Sequence, residues 1–476
     1  MTSENRALRI LHTSDWHLGK RLHDFDRSQE YEYFRKSLLE SIAEGKPEVM
    51  LIAGDIFDNV TPSFDAEKFF GNTLNMIRRE NPDLHIVVTS GNHDSGRKID
   101  NISIYMETCD RLRITGELPV IISGENGSVM EPDYEKLVYP VYNGETLRAV
   151  IVSMPFLTPA GVSGLTLNSD AGDYETAVRN LYQSCLACIR ERYPEAREGR
   201  VPVIAMGHFY VKNSAIGEQD ENKVNILGGE GQVSAQIFDG YDYTALGHIH
   251  LRQNIIEKSL AIRYSGSPLP VNFGELNYSN GVDMVDFRPS SDGKAGFAIS
   301  VQTKPFKRSV EFIRIPQRGG TAGEDEVFDI LDGLSARNEE NVREKNPGGL
   351  PFLSVFALYD PEHSAFSTSR EFRDVLESKL NNLAGRLARI CDKNVILKTA
   401  ASFRNNNGDQ DIQDLRDITD PMTLAERMYR EVNHGADMSS ELRALLSDII
   451  REAEGTQETS GSKGRKKTTA KVMTGK

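Results

Sequence analysis

Residues 49–58 read VMLIAGDIFD. The apolar run Val49 to Ala53 has the character of a buried strand, Gly54 supplies a turn, and Asp55 is delivered at the strand's exposed end. A lone Gly-Asp after a strand carries little weight, because strands of α/β proteins often end at a glycine turn bearing an acid. Four other short clusters give it weight: Asp15-Trp16-His17, Gly91-Asn92-His93-Asp94, Gly207-His208 and Gly247-His248-Ile249-His250.

Working outward, LRILHTS (8–14) reads as a buried strand that ends at Asp15. Residues 28–44 carry helical periodicity and stop at Gly45, a second helix covers about 65–80, and LHIVVTS (84–90) is a strand running directly into Gly91-Asn92-His93-Asp94. This βαβαβ pattern predicts a mostly parallel sheet, whose ligands collect at the carboxyl ends of its strands. From 114 to 154 the segments shorten and suggest a second sheet. A long helix near 174–193 precedes the strand VPVIAM and Gly207-His208; residues 210–232 are polar and glycine-rich and read as a loop. The strand YTAL then reaches Gly247-His248-Ile249-His250, and the segments AIRYSGSP and GVDMVDF complete a first domain over 1–287.

After a polar break at 288–296, strands and helices of a smaller α+β domain are expected over 297–400. Residues 405–419 read as a linker and 420–454 as helical. Asp420-Pro421 offers an N-cap and first helical position, and Leu442, Leu445, Leu446, Ile449 and Ile450 keep a one-face spacing suited to a partner helix. The tail 455–476 has six Lys and Arg against Glu458 alone and is expected to be disordered.

With 476 residues, 38% hydrophobic and 26% charged, the chain is large enough for two domains. No apolar run reaches membrane-spanning length and the N-terminus lacks a secretory pattern, so a cytoplasmic protein without membrane attachment is expected. Four sparse cysteines argue against a disulfide framework. Cys185 and Cys188 form a CxxC, but they sit inside a helical pattern with no second CxxC, and read as helix-face residues. The net charge of −14 counts against a polyanionic substrate unless cations or a partner offset it.

Chemically the clusters offer carboxylates from Asp15 and Asp55, imidazoles from His17, His208, His248 and His250, and the amide oxygen of Asn92. This mixed oxygen and nitrogen set suits manganese, iron or zinc better than magnesium or calcium. Seven donors exceed the needs of one ion and match two ions sharing a carboxylate, about 3.5–4 Å apart. His12, His23, His85, His363 and His434 have no such company and read as ordinary. Lys20, Arg21, Arg27, Arg97 and Lys98 flank the clusters and are candidates for DNA phosphates; the alternative for each is ordinary solvated loop charge.

The set Asp15-x-His17, Gly54-Asp55-x-x-Asp58, Gly91-Asn92-His93-Asp94, Gly207-His208 and Gly247-His248-x-His250 resembles, in order, the pattern of the calcineurin-like metallophosphoesterases. Within that superfamily LHTSDWHLGK (11–20), TSGNHDS (89–95), YTALGHIH (243–250) and YSGSPLPVNFGE (264–275) are similar to the bacterial nuclease subunits of double-strand-break repair. The resemblance implies a two-sheet sandwich flanked by helices, a capping domain at about 297–400, and C-terminal helices that bind a coiled-coil ATPase. It implies two Mn2+ ions, one on Asp15, His17, Asp55 and His250, the other on Asp55, Asn92, His208 and His248. His93 would protonate the leaving oxygen, with Asp94 orienting it; Asp58 keeps no assigned role. The implied activity is hydrolysis of DNA ends and hairpins by a homodimer within a heterotetramer. A small-molecule or cyclic-nucleotide phosphodiesterase shares the metal motif and is the alternative.

Overall fold

Each apolar run ahead of a cluster becomes a strand in the computed structural model, which describes residues 7–104, 110–123, 129–163, 165, 173–215, 231–257, 260–290, 296–317, 320–398, 438–439 and 442–443. Strands β1 (Leu8–Thr13), β2 (Val49–Ala53), β3 (His85–Thr89) and β4 (Leu112–Thr115) lie side by side in that order, all parallel. Helices α1 (Ser28–Gly45), α2 (Phe64–Glu80) and α3 (Gly96–Ile104) fill the connections, as the βαβαβ pattern predicts.

A hairpin of β5 (Val120–Ser123) and β6 (Val129–Pro132) leads to the strands β7 (Val138–Asn143), β8 (Thr146–Ser153) and β9 (Val203–His208). A short parallel pair, β10 (Tyr210–Val211) and β11 (Gln232–Val233), precedes β12 (Tyr243–Gly247), β13 (Gln253–Glu257) and β14 (Leu260–Tyr264). The second sheet has the order β13-β14-β12-β9-β8-β7, parallel except at its two edge strands. β15 (Gly281–Pro289) then returns to the first sheet, antiparallel to β1, and β16 (Phe297–Pro305) pairs with β15 along its whole length. Residues 297–305, grouped with the capping segment from sequence, therefore extend the first sheet. The polar stretch at 288–296 that resembles a boundary connects two paired strands.

The strand β2 explains the layering. All five of its residues are buried, yet they alternate: Val49, Leu51 and Ala53 pack between the sheets with Ile204, Met206 and Ala245, while Met50 and Ile52 pack under α1 and α2. Phe34, Leu38 and Ile42 of α1 and Phe70, Leu74 and Ile77 of α2 supply that outer core. The helix Tyr174–Arg192, N-capped by Asp173, covers the second sheet with Val178, Leu181, Tyr182, Cys185 and Ile189. Cys185 is thus core and Cys188 partly exposed, both as free thiols. The result is a helix/sheet/sheet/helix sandwich.

A smaller three-stranded sheet, β17 (Phe312–Ile315), β18 (Phe352–Tyr359) and β19 (Arg389–Leu397), packs Leu353, Val355 and Ala357 against the helices Glu324–Ser335 and Ser369–Leu383. It meets the sandwich through an apolar cluster of Leu22, Phe273, Val310 and Phe352. Residues 7–359 and 364–396 belong to one compact unit. In a second unit, Asp360 pairs with His363 at 2.9 Å and with Lys398 at 2.5 Å. The expected linker (405–419), the helical segment (420–454) apart from 438–439 and 442–443, and the tail (455–476) lie outside the described residues. No described helix is long and apolar enough to cross a membrane.

Candidate metal centre

Asp15 and His17 follow β1, Asp55 follows β2, and Asn92 and His93 follow β3; from the second sheet His208 ends β9 while His248 and His250 follow β12. The carboxyl ends of parallel strands from both sheets meet here, and the register sets Gly247 beside His208. Main-chain bonds lock the turns together, Asp15 N–H to Gly54 O at 3.0 Å and His17 N–H to Asp55 O at 3.1 Å. Four of the converging residues hold left-handed backbone, with φ of 54° at Asp15, 44° at His17, 49° at Asp55 and 95° at His248. Such conformations cost non-glycine residues on the order of 1–3 kcal/mol each and persist only where the surroundings over-determine them. Here the side chains do so: Asp15 Oδ1 accepts His248 N–H and Asp55 Oδ1 accepts His93 N–H, both at 2.9 Å.

The donor atoms face one another in a way that hydrogen bonding alone does not satisfy. His250 Nδ1 lies 2.7 Å from the Glu275 carboxylate and His17 Nδ1 3.5 Å from that of Asp58, so each ring carries its proton on Nδ1. Their Nε2 lone pairs then confront each other at 3.0 Å. His208 repeats the pattern. Its Nδ1 donates to Ala53 O at 2.9 Å, leaving Nε2 to face Asn92 Oδ1 at 3.0 Å and Asp55 Oδ2 at 3.2 Å. His248 Nδ1 approaches the same Asn92 oxygen at 2.9 Å. Asp55 Oδ2, fully buried and without a hydrogen-bond partner among the described residues, lies between His208 Nε2 and His17 Nε2, the latter 3.8 Å away. Opposed acceptors around an orphaned carboxylate oxygen fit bound cations. The groups Asp15–His17–His250 and Asp15–Asp55–His208 each bring their ligand atoms within 4.8 Å of one another, as does His17–Asp58–His93.

Charge follows the same logic. Burial would raise the Asp55 carboxyl, but the charge and hydrogen bond of His208, with the charges of His17 and His93, hold it well below the usual carboxylate range. Burial would lower His208, yet Asp55 raises it to about 9. His248 is pushed down to about 3 by burial and by its neighbour His208. Opposed shifts on adjacent groups are characteristic of functional sites.

Two expectations need correction. Asp94 does not orient His93: its carboxylate accepts the N–H groups of Ile56 (3.1 Å), Phe57 (2.9 Å) and Gly91 (2.8 Å), pinning the loops after β2 and β3 to each other. The His93 ring is held instead by the Asp58 main-chain oxygen, 2.8 Å from Nδ1. Asp58 also places its carboxylate between His17 and Lys20, the latter at 3.3 Å. Arg27 is no DNA contact: it is 2% exposed, forms a double ion pair with Glu30 and donates to Pro270 O at 2.8 Å. Arg21 and Arg97 are exposed, Lys98 is half-buried against Glu67, and Lys20 lies at the site's edge. His12 and His85 are buried against tyrosines, and His23 lies 3.4 Å from Asp392, as ordinary residues would be. His434 lies outside the described residues. Glu275 is the residue that sequence reasoning missed, although it closes the quoted stretch 264–275.

Residues 8–252 match the calcineurin-like phosphoesterase family. The chain is 31% identical over 330 residues to SbcD, the nuclease component of SbcCD, from Rhodobacter capsulatus, covering 69% of this chain and 76% of that protein. It is 30% identical over 295 residues to the protein of the same name from Escherichia coli, covering 60% of this chain and 66% of that one. For the Bacillus subtilis protein the identity is 29% over 363 residues, with 73% and 86% covered. The stretch matched by the family contains all five clusters, so what is shared includes the converging strand ends described above: the chain belongs to the calcineurin-like phosphoesterases and, within them, to the SbcD family of nucleases.

Proposed function

We propose that this protein is a two-metal DNA nuclease subunit that hydrolyses phosphodiester bonds at DNA ends and hairpins together with an SbcC-like coiled-coil ATPase. The observation that carries the reading is the pair of opposed acceptor sets joined by Asp55 Oδ2. One ion is held by Asp15, His17, Asp55 and His250, the other by Asp55, Asn92, His208 and His248. The mixed donors favour Mn2+. When bound, the ions supply a water of lowered pKa and offset charge on the scissile phosphate. The chain's own part is positional. Asp55 spans both half-sites, and the Asp58 carbonyl fixes His93 through Nδ1, leaving Nε2 to meet the phosphate and hand a proton to the leaving oxygen. Exposed Arg21 and Arg97, with Lys20 and Lys98, take DNA phosphates at the rim, and the three-stranded sheet caps the site. The late helices dock on the ATPase, in a heterotetramer built on a homodimer of this chain.

The test is to incubate the chain, alone and with its ATPase partner, with linear and hairpin DNA, Mn2+ and ATP. Cleavage of cyclic nucleotides but not DNA would establish the small-molecule phosphodiesterase instead. Asp55→Ala is expected to lose both ions by metal counting. His93→Gln is expected to keep both ions and to lose about 10²–10⁴-fold in rate, the usual contribution of a positioned proton donor; loss of the ions by this variant would remove His93 from that role. Deleting residues 420–476 is expected to abolish association with the ATPase, and unchanged association would refute the docking role.

A further inference from the structure

We infer that Glu275 is the positioning residue of His250, fixing the ring and tautomer through which one of the two ions is held. The inference rests on the two-ion reading above and goes beyond it, to a residue outside the ligand set. Glu275 ends the single 3-10 turn Phe273–Glu275 and is 2% exposed. Its Oε1 lies 2.7 Å from His250 Nδ1. The other oxygen is committed: Oε2 accepts Val271 N–H at 2.8 Å, with Ser267 Oγ at 3.4 Å. A carboxylate so placed has only acceptor capacity to offer the ring, so the imidazole proton stays on Nδ1 and the Nε2 lone pair is aimed at the cluster. His208 receives the same service from a main-chain carbonyl, Ala53 O. The strand fixes that carbonyl, whereas the partner of His250 comes from a separate turn and is a charged side chain, which also strengthens the ligand's basicity.

The turn is held from a second side. Phe273 packs with Val310 and Phe352 in the apolar cluster at the three-stranded sheet, its ring 5.3 Å from that of Phe312. The carboxylate therefore has little freedom to follow His250 if the ring moves. Glutamine is a sharp probe. Its amide has to present an NH2 either to the Val271 N–H or to His250 Nδ1, and so loses the anchor or reverses the tautomer.

The experiment is a Mn2+ titration of the full-length protein by calorimetry, with bound metal counted, for the wild type, Glu275→Gln, His250→Ala and the double variant. The wild type is expected to take two ions. Glu275→Gln is expected to weaken one of them about 10–100-fold, the usual effect of removing a ligand's hydrogen-bond partner, and to leave the other unchanged. The double variant is expected to bind as His250→Ala alone does, because Glu275 acts through that ring. Unchanged affinity in Glu275→Gln, equal weakening of both ions, or additive losses in the double variant would each overturn the role. A readout independent of any Glu275 variant is the 15N spectrum of histidine-labelled, metal-free wild type, with the His250 signal assigned by its loss in His250→Ala. An Nδ1–H tautomer is expected; Nε2–H overturns the inference. A wild type that binds fewer than two ions overturns the two-ion reading itself, whatever the tautomer shows.

Discussion

Left-handed backbone at Asp15, His17, Asp55 and His248 means that side-chain chemistry at the centre is bought with main-chain strain, and the glycines around it have no slack to give. A Cβ on Gly91 would stand 2.2 Å from Asp55 Oδ1 and 2.3 Å from Asp55 N. Gly91→Ala is therefore expected to displace Asp55 and abolish uptake of both ions; Gly71→Ala, where a Cβ meets nothing within 4 Å, is expected to stabilise α2 by about 0.5–1 kcal/mol in a melting experiment. A second residue-scale prediction concerns His12, buried with Nδ1 on the Tyr243 hydroxyl and lowered to about 3 by burial, with the Asp283 charge opposing and those of Arg263 and Arg252 adding. Since the folded state holds this ring neutral, its contribution is complete above the unfolded value near 6.5 and is lost as pH falls from there towards 3. At about 1.4 kcal/mol per tenfold change in proton affinity the loss is on the order of 4–5 kcal/mol. His12→Phe should flatten the melting temperature between pH 6.5 and 4, and an equally steep fall in that variant would assign the acid sensitivity elsewhere. The ligand candidates were legible because each sits beside a glycine or acid just past an apolar strand. Glu275 was not, because it reaches His250 from 25 residues away across an irregular turn, and no periodicity marks such a pair. Arg27 misled because charge is readable and burial is not, although Glu30 at i+3 was a clue.

Among the elements, the parallel order of β1 to β4 follows from short strands alternating with amphipathic helices, and this much the pattern predicts. The pairing of β16 with β15 does not follow, because a polar stretch before a strand looks alike whether it separates domains or joins neighbours in one sheet. The start of α1 carries a prediction of its own. Arg27→Ala leaves Glu30 buried and uncompensated and is expected to cost about 3–5 kcal/mol in denaturant unfolding. It should leave the salt dependence of DNA binding unaltered, whereas Arg21→Ala and Arg97→Ala should each reduce the slope of log K against log salt by about one. A shallower slope in Arg27→Ala at full stability would restore it as a phosphate contact.

For the molecule as a whole, the site exists only because two sheets built from distant parts of the chain are packed face to face, with Val49, Leu51 and Ala53 interlocked against Ile204, Met206 and Ala245. Hydropathy announces two sheets but not that their carboxyl ends coincide; the interleaved clusters announce that. The joint at Leu22, Phe273, Val310 and Phe352 ties the three-stranded sheet to the turn that carries Glu275. Separating the two surfaces exposes four buried apolar side chains at once, so opening there is all-or-none. Amides of 271–276 should then exchange with deuterium in concert with those of 310–312 and 352–353, as one cooperative unit with a single opening free energy.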